Sequence, residues 1–316
     1  MKSTELHIPN VQVKTDKKIK RWETPYIGYL FMAPWLIGLF VFILWPMGLS
    51  LYYSFTNFSL LAKPTWIGTG NYSQILIDDD KFLQSLKVTL QFVVFSVPLK
   101  LIFALLVAML LRKEIKGMSF YRTFIYFPSL IGTSIAVSIL WRQIFGQDGF
   151  INHLLSYFHI AGKSWIGDPS SSLGTLIILA VWQFGSTMVI FLAGLKQIPN
   201  DLYEASGVDG ASKFRQFISI TLPMLSPILL FNLVLATIQS FQMFTQAFII
   251  TKGGPANSTY MYALYLYERA FDQLQMGYAS ALAWLLLIVI GAATALIFVS
   301  SKYWVFYESE TGGEQK

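Results

Sequence analysis

The sequence predicts an all-α polytopic membrane protein with six transmembrane helices. Three observations predict it. The 316 residues are 54% hydrophobic and only 13% charged, too apolar for an ordinary soluble domain of this size. Six apolar stretches, at 26–54, 86–111, 122–145, 173–195, 223–250 and 277–301, each have the length that a bilayer-spanning helix needs. The basic residues divide unequally between the loops on alternate sides of those stretches.

Residues 1–23 form a polar tail with Lys14, Lys17, Lys18, Lys20 and Arg21 ahead of the first apolar run. That run is longer than the hydrophobic region of a signal peptide, and no small-x-small cleavage site follows it. Pro34, Pro46, Pro98, Pro128 and Pro227 lie inside spans, where kinks are expected and tolerated. With the N-terminus inside, fifteen Lys and Arg residues fall on the cytoplasmic side, among them Lys2, Arg112, Lys113, Lys116, Arg122, Lys196, Lys213, Arg215, Lys302 and Lys316. Six fall outside: Lys63, Lys81, Lys87, Lys163, Lys252 and Arg269. This bias predicts both termini in the cytoplasm and a short C-terminal tail at 308–316. Tyr26, Trp45, Tyr52, Tyr53, Trp141, Tyr303 and Trp304 sit at span ends and suit interfacial belts.

Several chemistries are excluded. There are no cysteines, hence no disulfide, thiolate nucleophile or zinc–thiolate site. His7, His153 and His159 stand outside the apolar runs and read as solvated loop residues. Asp78-Asp79-Asp80 lacks the glycine and spaced ligands of a calcium loop and reads as a solvated turn. No phosphate-binding loop is present, and no catalytic constellation. The chain is therefore not expected to be an enzyme, and it needs no cofactor or metal of its own. The basic residues form no single patch, which argues against nucleic acid. No carboxylate lies inside the six predicted spans, whereas ion-coupled carriers commonly keep ionisable groups there. A transporter without its own energy source must borrow one.

Two regions carry candidate function. In span five, Asn232, Gln239, Gln242 and Gln246 follow offsets that place them on one helical face, flanked by Phe241 and Phe244. Trp182 and Gln183, with Ser186 and Thr187, give span four a similar patch. Amides bind hydroxyl groups and aromatic faces pack on sugar rings, so these residues fit a translocation path. They equally fit hydrogen-bonded glue between subunits. Two cations also lie at membrane depth. Arg142 near a span end can snorkel. Lys100 near the middle of span two requires a cavity, a polar partner or a neighbouring subunit.

The second region is 196–223, the polar loop between spans four and five. Asp201 with Glu204 reads as a capping box after Pro199. Asp209-Gly210 reads as a turn opening a second short helix, which Pro223 ends. So much local order in a cytoplasmic loop suggests a docking element.

The motif Glu204-Ala205-Ser206-Gly207-Val208-Asp209-Gly210-Ala211, then Ile220-Thr-Leu-Pro223, resembles the EAA loop of bacterial ABC importer permeases. Ser206 replaces the usual third alanine, a small-for-small exchange. Resemblance extends over about 24–307, through Trp66-Ile-Gly, Asn71-Tyr72, Phe127-Pro128, Gly149-Phe-Ile-Asn152, Gly253-Gly-Pro255 and Gly277-Tyr-Ala-Ser280. It is similar to the carbohydrate-uptake branch, and more narrowly to the larger membrane subunit of the maltose importer. It lacks that subunit's additional N-terminal spans and large periplasmic insertion. The resemblance implies a type I ABC importer permease fold across 24–307, in the bacterial cytoplasmic membrane. It also implies partners: a second homologous permease, a cytoplasmic ABC ATPase dimer that holds ATP and magnesium, and an extracytoplasmic solute-binding protein. The implied substrate is a carbohydrate. An anionic sugar or a polyol phosphate is the alternative that Lys100 and Arg142 leave open. A self-sufficient carrier or channel is the alternative of a different class.

Overall fold

The computed structural model describes residues 25–306, except Glu114. The expected tails, with Lys2, His7, Lys14, Lys17, Lys18, Lys20, Arg21 and Lys316, lie outside the described residues. The chain divides into two compact units, one ending at Leu49 and the other beginning at Ser50. Among the described residues there is no strand, only isolated bridges pairing Thr56 with Trp66 and Ser59 with Ala62.

The first unit holds α1 (Pro25–Leu39), a π turn, Phe40–Leu44, and the first half of α2 (Trp45–Ser54). Apolar residues are spread around α1 rather than confined to one face, as expected of a membrane-embedded helix.

The second unit is built on α4 (Asp80–Leu111), a 32-residue helix preceded by the short α3 (Gly70–Ile77). It begins earlier than hydropathy alone suggests, because Asp79 caps it. The Asp79 carboxylate accepts from the backbone N–H groups of Lys81 and Phe82. One face of α4 packs on the later spans and buries Phe92, Val97, Leu101, Ala104 and Leu105.

Spans three and four are broken. Span three is α5 (Met118–Ile131) and α6 (Ile135–Ile144), bent by 97°. Ser134 restarts the second half, its hydroxyl accepting from Val137 N–H at 3.3 Å. After α7 (Phe150–Tyr157), span four is α8 (Pro169–Trp182) and α9 (Gly185–Gln197), bent by 43°. The two breaks abut. A Cβ on Gly132 would lie 2.3 Å from Gln183 Cγ, and one on Gly185 would lie 2.7 Å from Ser129 Oγ. Glycine permits that approach. Gln183 Nε2 then donates to Gly132 O at 3.0 Å, and Ser186 N–H to Ser129 Oγ at 3.1 Å. Non-helical backbone at membrane depth survives only with such partners.

After α9 come α10 (Asn200–Val208) and α11 (Lys213–Gln216). A π turn, Phe217–Thr221, then joins α11 to α12 (Leu222–Phe241). A second π turn, Ala247–Thr251, is followed by α13 (Tyr262–Tyr267), a third π turn, Glu268–Asp272, and α14 (Met276–Ser301). Among the described residues, four helices are long and apolar enough to cross a membrane, and counting each bent pair as one span brings the number to six.

Loop staples hold the end of the unit where α4 begins. Asn71 Nδ2 donates to Ser54 O (2.8 Å) and Thr56 O (3.0 Å). Asn152 Nδ2 donates to Gln147 O and Lys163 O, each at 2.8 Å, and its Oδ1 accepts from Trp165 Nε1. Gly277 N–H donates to Phe58 O at 2.9 Å.

Candidate functional site

The loop at 196–223 folds as two helices around a tight turn, but its caps differ from expectation. Asn200 begins α10, and Pro199 at its cap position makes no side-chain hydrogen bond. Asp201 lies one position inside the helix, so no capping box with Glu204 forms. Asp209 closes α10 rather than opening the next helix. Gly210 takes φ +77°, and the turn is a Schellman motif. Ala211 N–H reaches back to Ser206 O (2.9 Å) and Gly210 N–H to Gly207 O (3.1 Å). With Asp209 consumed there, Ser212 caps α11 by accepting from Arg215 N–H at 3.3 Å.

Pro223 does not end the second helix. The π turn before it is the kind of local adjustment that lets a helix pass a residue with no N–H. The chain from Lys213 to Phe241 is therefore one 29-residue helical rod, roughly 43 Å long at 1.5 Å per residue. It joins the loop directly to span five.

Side chains outside the motif anchor the loop. Gln216 is buried; its Nε2 donates to Tyr203 O (3.0 Å) and Ser206 Oγ (2.9 Å), while its Oε1 accepts from Lys213 Nζ (3.2 Å). Tyr203 and Thr221 share a hydroxyl hydrogen bond of 2.9 Å. Arg112, just past α4, lies 4.7 Å from the Tyr203 ring centre and donates to Asn200 Oδ1 at 3.3 Å. These residues border a recess of about 760 Å³ that Glu204 and Gly207 also line. Glu204, Ala205, Asp209 and Gly210 are exposed, while Ser206 and Ala211 are half-buried. Val208 is 89% exposed and Phe214 73% exposed. The sequence motif thus occupies the outward face. Of its anchors, Tyr203 and Gln216 carry no signal beyond their proximity to it, and Arg112, 88 residues before Asn200, carries none.

The candidate path is brought together only in part. The helix of span five stops at Phe241. Gln242 closes α12 and Gln246 opens the following π turn, so the four amides do not share one helical face. They meet around two adjoining recesses instead. The first, about 310 Å³, is lined by Gln239, Gln242, Phe244 and Gln246. The second, about 240 Å³, is lined by Asn232 and Gln239. Lys100, Thr133 and Gln183 border both. Lys100 therefore faces a cavity, with no ion pair or hydrogen bond among the described residues. Phe241 and Trp182 line neither recess. Phe241 is buried in the core, where it is 2% exposed. Trp182 packs on Trp141, with ring centres 5.9 Å apart. Arg142 is exposed and borders neither recess.

The triple aspartate is not simply a solvated turn. The Asp79 carboxylate accepts from Arg269 Nη2 at 3.0 Å and from the hydroxyls of Tyr265 and Tyr278. Arg269 lies over both rings, at 5.2 Å and 4.7 Å. Burial pushes the Asp79 carboxyl up. The two hydroxyls, the Phe82 N–H and the Arg269 charge outweigh that and hold it below its usual value. The same burial, with the carboxylate as partner, pushes Tyr265 up to about 12. Among the described residues, no cluster of His, Asp and Glu fit to hold a metal occurs.

This architecture is the type I permease fold of ABC importers. The structure aligns with that of a bacterial ABC transporter importing the acidic polysaccharide alginate, at TM-score 0.76 and 21% identity, over 88% of this chain and 95% of the other. Residues 79–305 match the family described as binding-protein-dependent transport system inner membrane component, and the chain belongs to that family. It is 52% identical to the probable ABC transporter permease protein YesP of Bacillus subtilis (strain 168), over 90% of this chain and 93% of that one. It is 32% identical to the probable starch degradation products transport system permease protein AmyD of Thermoanaerobacterium thermosulfurigenes, over 90% and 98%.

Proposed function

We propose that this chain is one of two permease subunits in an ATP-driven importer of sugars or oligosaccharides, set in the bacterial cytoplasmic membrane with both termini inside. The observation that carries the proposal is the loop at 196–223. It is a folded two-helix element that presents Glu204, Val208 and Phe214 outward and continues without a break into the helix bearing Asn232 and Gln239. Movement imposed on the loop is thereby delivered to the recess. The names of AmyD and of the alginate transporter support a carbohydrate cargo. One solved neighbour is in complex with a periplasmic protein bound to an alginate pentasaccharide, which supports delivery by a solute-binding protein.

The mechanism follows from the geometry as a two-state bundle. A separate ATPase dimer, holding ATP and magnesium, engages the loop on this chain and its counterpart on a second permease. Closure of that dimer shifts the Lys213–Phe241 rod, and the bundle exchanges inward- and outward-facing states. This chain contributes positioning and a polar path, not chemistry. The test is reconstitution with all partners. Gly210→Trp and Glu204→Lys are expected to insert normally, lose ATPase co-purification and abolish ATP-driven uptake. Full uptake by both variants overturns the docking reading. Solute flux through the purified chain alone makes it a self-sufficient carrier instead.

A further inference from the structure

The two recesses beside span five have an electrostatic imbalance that the proposed function does not explain. Lys100 borders both. It stands 11 residues before the end of α4 at Leu111, about 17 Å into the helix. A lysine at such depth is costly unless it is paired or faces water, so the charge calls for a compensating group. Neither recess has an aspartate or glutamate in its wall. The remaining polar lining is neutral amides and hydroxyls. Gln183 spends one amide hydrogen on Gly132 O. Asn232 is buried, yet its Nδ2 donates to nothing. A buried donor without an acceptor is rare and costly. Among the described residues, Lys100 is thus the one ionisable side chain in the walls of the two recesses, and the unpaired Asn232 amide sits in the wall of the second with its Nδ2 withdrawn from the open space.

The geometry points to a carboxylate-bearing sugar, a uronic-acid residue of an oligosaccharide, as the cargo that completes this site. Its carboxylate pairs with Lys100, and its ring hydroxyls exchange hydrogen bonds with Gln239 and Gln183. The charge count favours a carboxylate over a phosphate. A phosphate monoester carries roughly −1.5 to −2 at neutral pH, and a single lysine leaves part of that buried and unpaired. This inference rests on the reading of the chain as an importer permease and narrows its substrate class.

Two measurements on the complete reconstituted importer test it. The chain has no cysteine, so a Thr133→Cys variant places a single reporter thiol of this chain beside Lys100. The anionic reagent sulfonatoethyl methanethiosulfonate is expected to react about tenfold faster than its trimethylammonium counterpart, and Lys100→Met to erase that preference. Equal rates with Lys100 intact overturn the inference, because the charge is then already neutralised by a partner subunit. In transport, a uronate disaccharide, its carboxyl-reduced neutral form and a disaccharide phosphate are compared. Lys100→Met is expected to raise KM for the uronate about tenfold more than KM for the neutral sugar, with Lys100→Arg restoring uronate uptake. Preference for the phosphate, or equal loss for charged and neutral sugars, overturns it. Failure of the wild type to couple any sugar to ATP hydrolysis is a different result, because it removes the importer reading itself.

Discussion

The two ends of α4 are held in opposite ways. At its N-terminal end, Asp79 is tied to Arg269, Tyr265 and Tyr278 through a carboxylate that is almost fully withdrawn from solvent. At its C-terminal end, Arg112 rests on the face of Tyr203 and reaches one exposed asparagine, and the loop beyond shows Val208 and Phe214 to solvent. One end spends its polar groups on internal partners. The other leaves an ordered surface uncovered. An element that only had to be stable would not carry exposed apolar side chains on a folded two-helix loop. The contrast assigns rigidity to the first end and docking to the second. Substitutions at the two ends should therefore separate stability from coupling.

The largest stability effect is expected at Asp79. Asp79→Ala removes the cap of α4 and leaves Arg269 without its ion pair. A cost of about 3 kcal/mol is expected, the low end for a broken buried pair because Arg269 is partly exposed. Thermal unfolding of the detergent-purified complex measures it. Arg269→Met alone should cost less, and the double variant less than the sum of the two, because both remove the same contact. If the costs simply add, the lock is not a unit. The pH dependence has a definite sign. The folded Asp79 pKa lies below its ordinary value of 3.8, so the lock is fully stabilising above that value and is lost as pH falls below it. Asp79→Ala should abolish that part of the acid destabilisation while leaving ATPase co-purification intact above pH 5.

Gly210 comes next. A side chain at φ +77° is strained by roughly 1–2 kcal/mol, more for a β-branched residue. Gly210→Val should unravel the Schellman turn and lose ATPase binding, while Gly210→Asn, which enters that region more readily, should keep most uptake. Equal loss by both variants would shift the cause from backbone conformation to space. That outcome would itself be informative, because an added Cβ there meets nothing within 4 Å in this chain. Gln216→Leu is expected to cost about 1 kcal/mol by removing the donor to Ser206 Oγ and one of the two side-chain donors to Tyr203 O, the other being Ser206 Oγ itself. The expected readout is looser protection of α10 in hydrogen exchange, with spans four and five unchanged.

The sequence made some of this legible and hid the rest, for physical reasons. The six apolar stretches are visible because lipid imposes a composition over a long window. The breaks in spans three and four are not, because hydropathy averages across three residues such as Gly132-Thr133-Ser134. Their local traces are slight: Gly132 and the capping Ser134 in span three, and Gly185 in span four. The end of α12 leaves still less trace. Neither glycine nor proline marks Gln242–Gln246, so periodicity carried the helix straight through it. The loop is legible in its motif, but its caps are not. Asp209 and Ser212 are both good N-cap residues, and the positive φ of Gly210 decides which one serves. Gln216 was invisible because its partners lie 10 and 13 residues away in sequence and accept through a hydroxyl and a carbonyl, which no pattern marks. Phe241 and Trp182 were assigned to the path because aromatics suit sugars. The burial of Phe241 and the half-buried packing of Trp182 against Trp141 follow equally well from their size.

The smallest stability effect is expected at the most exposed residue, and there the comparison between the two ends is sharpest. Val208→Asp changes a side chain that is 89% exposed, ahead of the Schellman turn and clear of every hydrogen bond that anchors the loop. Surface changes of this kind usually move stability by no more than about 0.5 kcal/mol. Melting should therefore be unchanged, in contrast to Asp79→Ala. Coupling should nonetheless fail. A carboxylate placed in an apolar contact with the ATPase loses its water and gains no partner, which raises the cost of docking far above the cost of folding. The expected result is a normally folded complex that retains substrate binding but shows ATP hydrolysis unresponsive to substrate. If Val208→Asp and Phe214→Ser both transport normally, the exposed apolar surface of the loop is not the docking face. The coupling contact would then have to lie in the recess lined by Glu204 and Gly207, against Arg112 and Lys213.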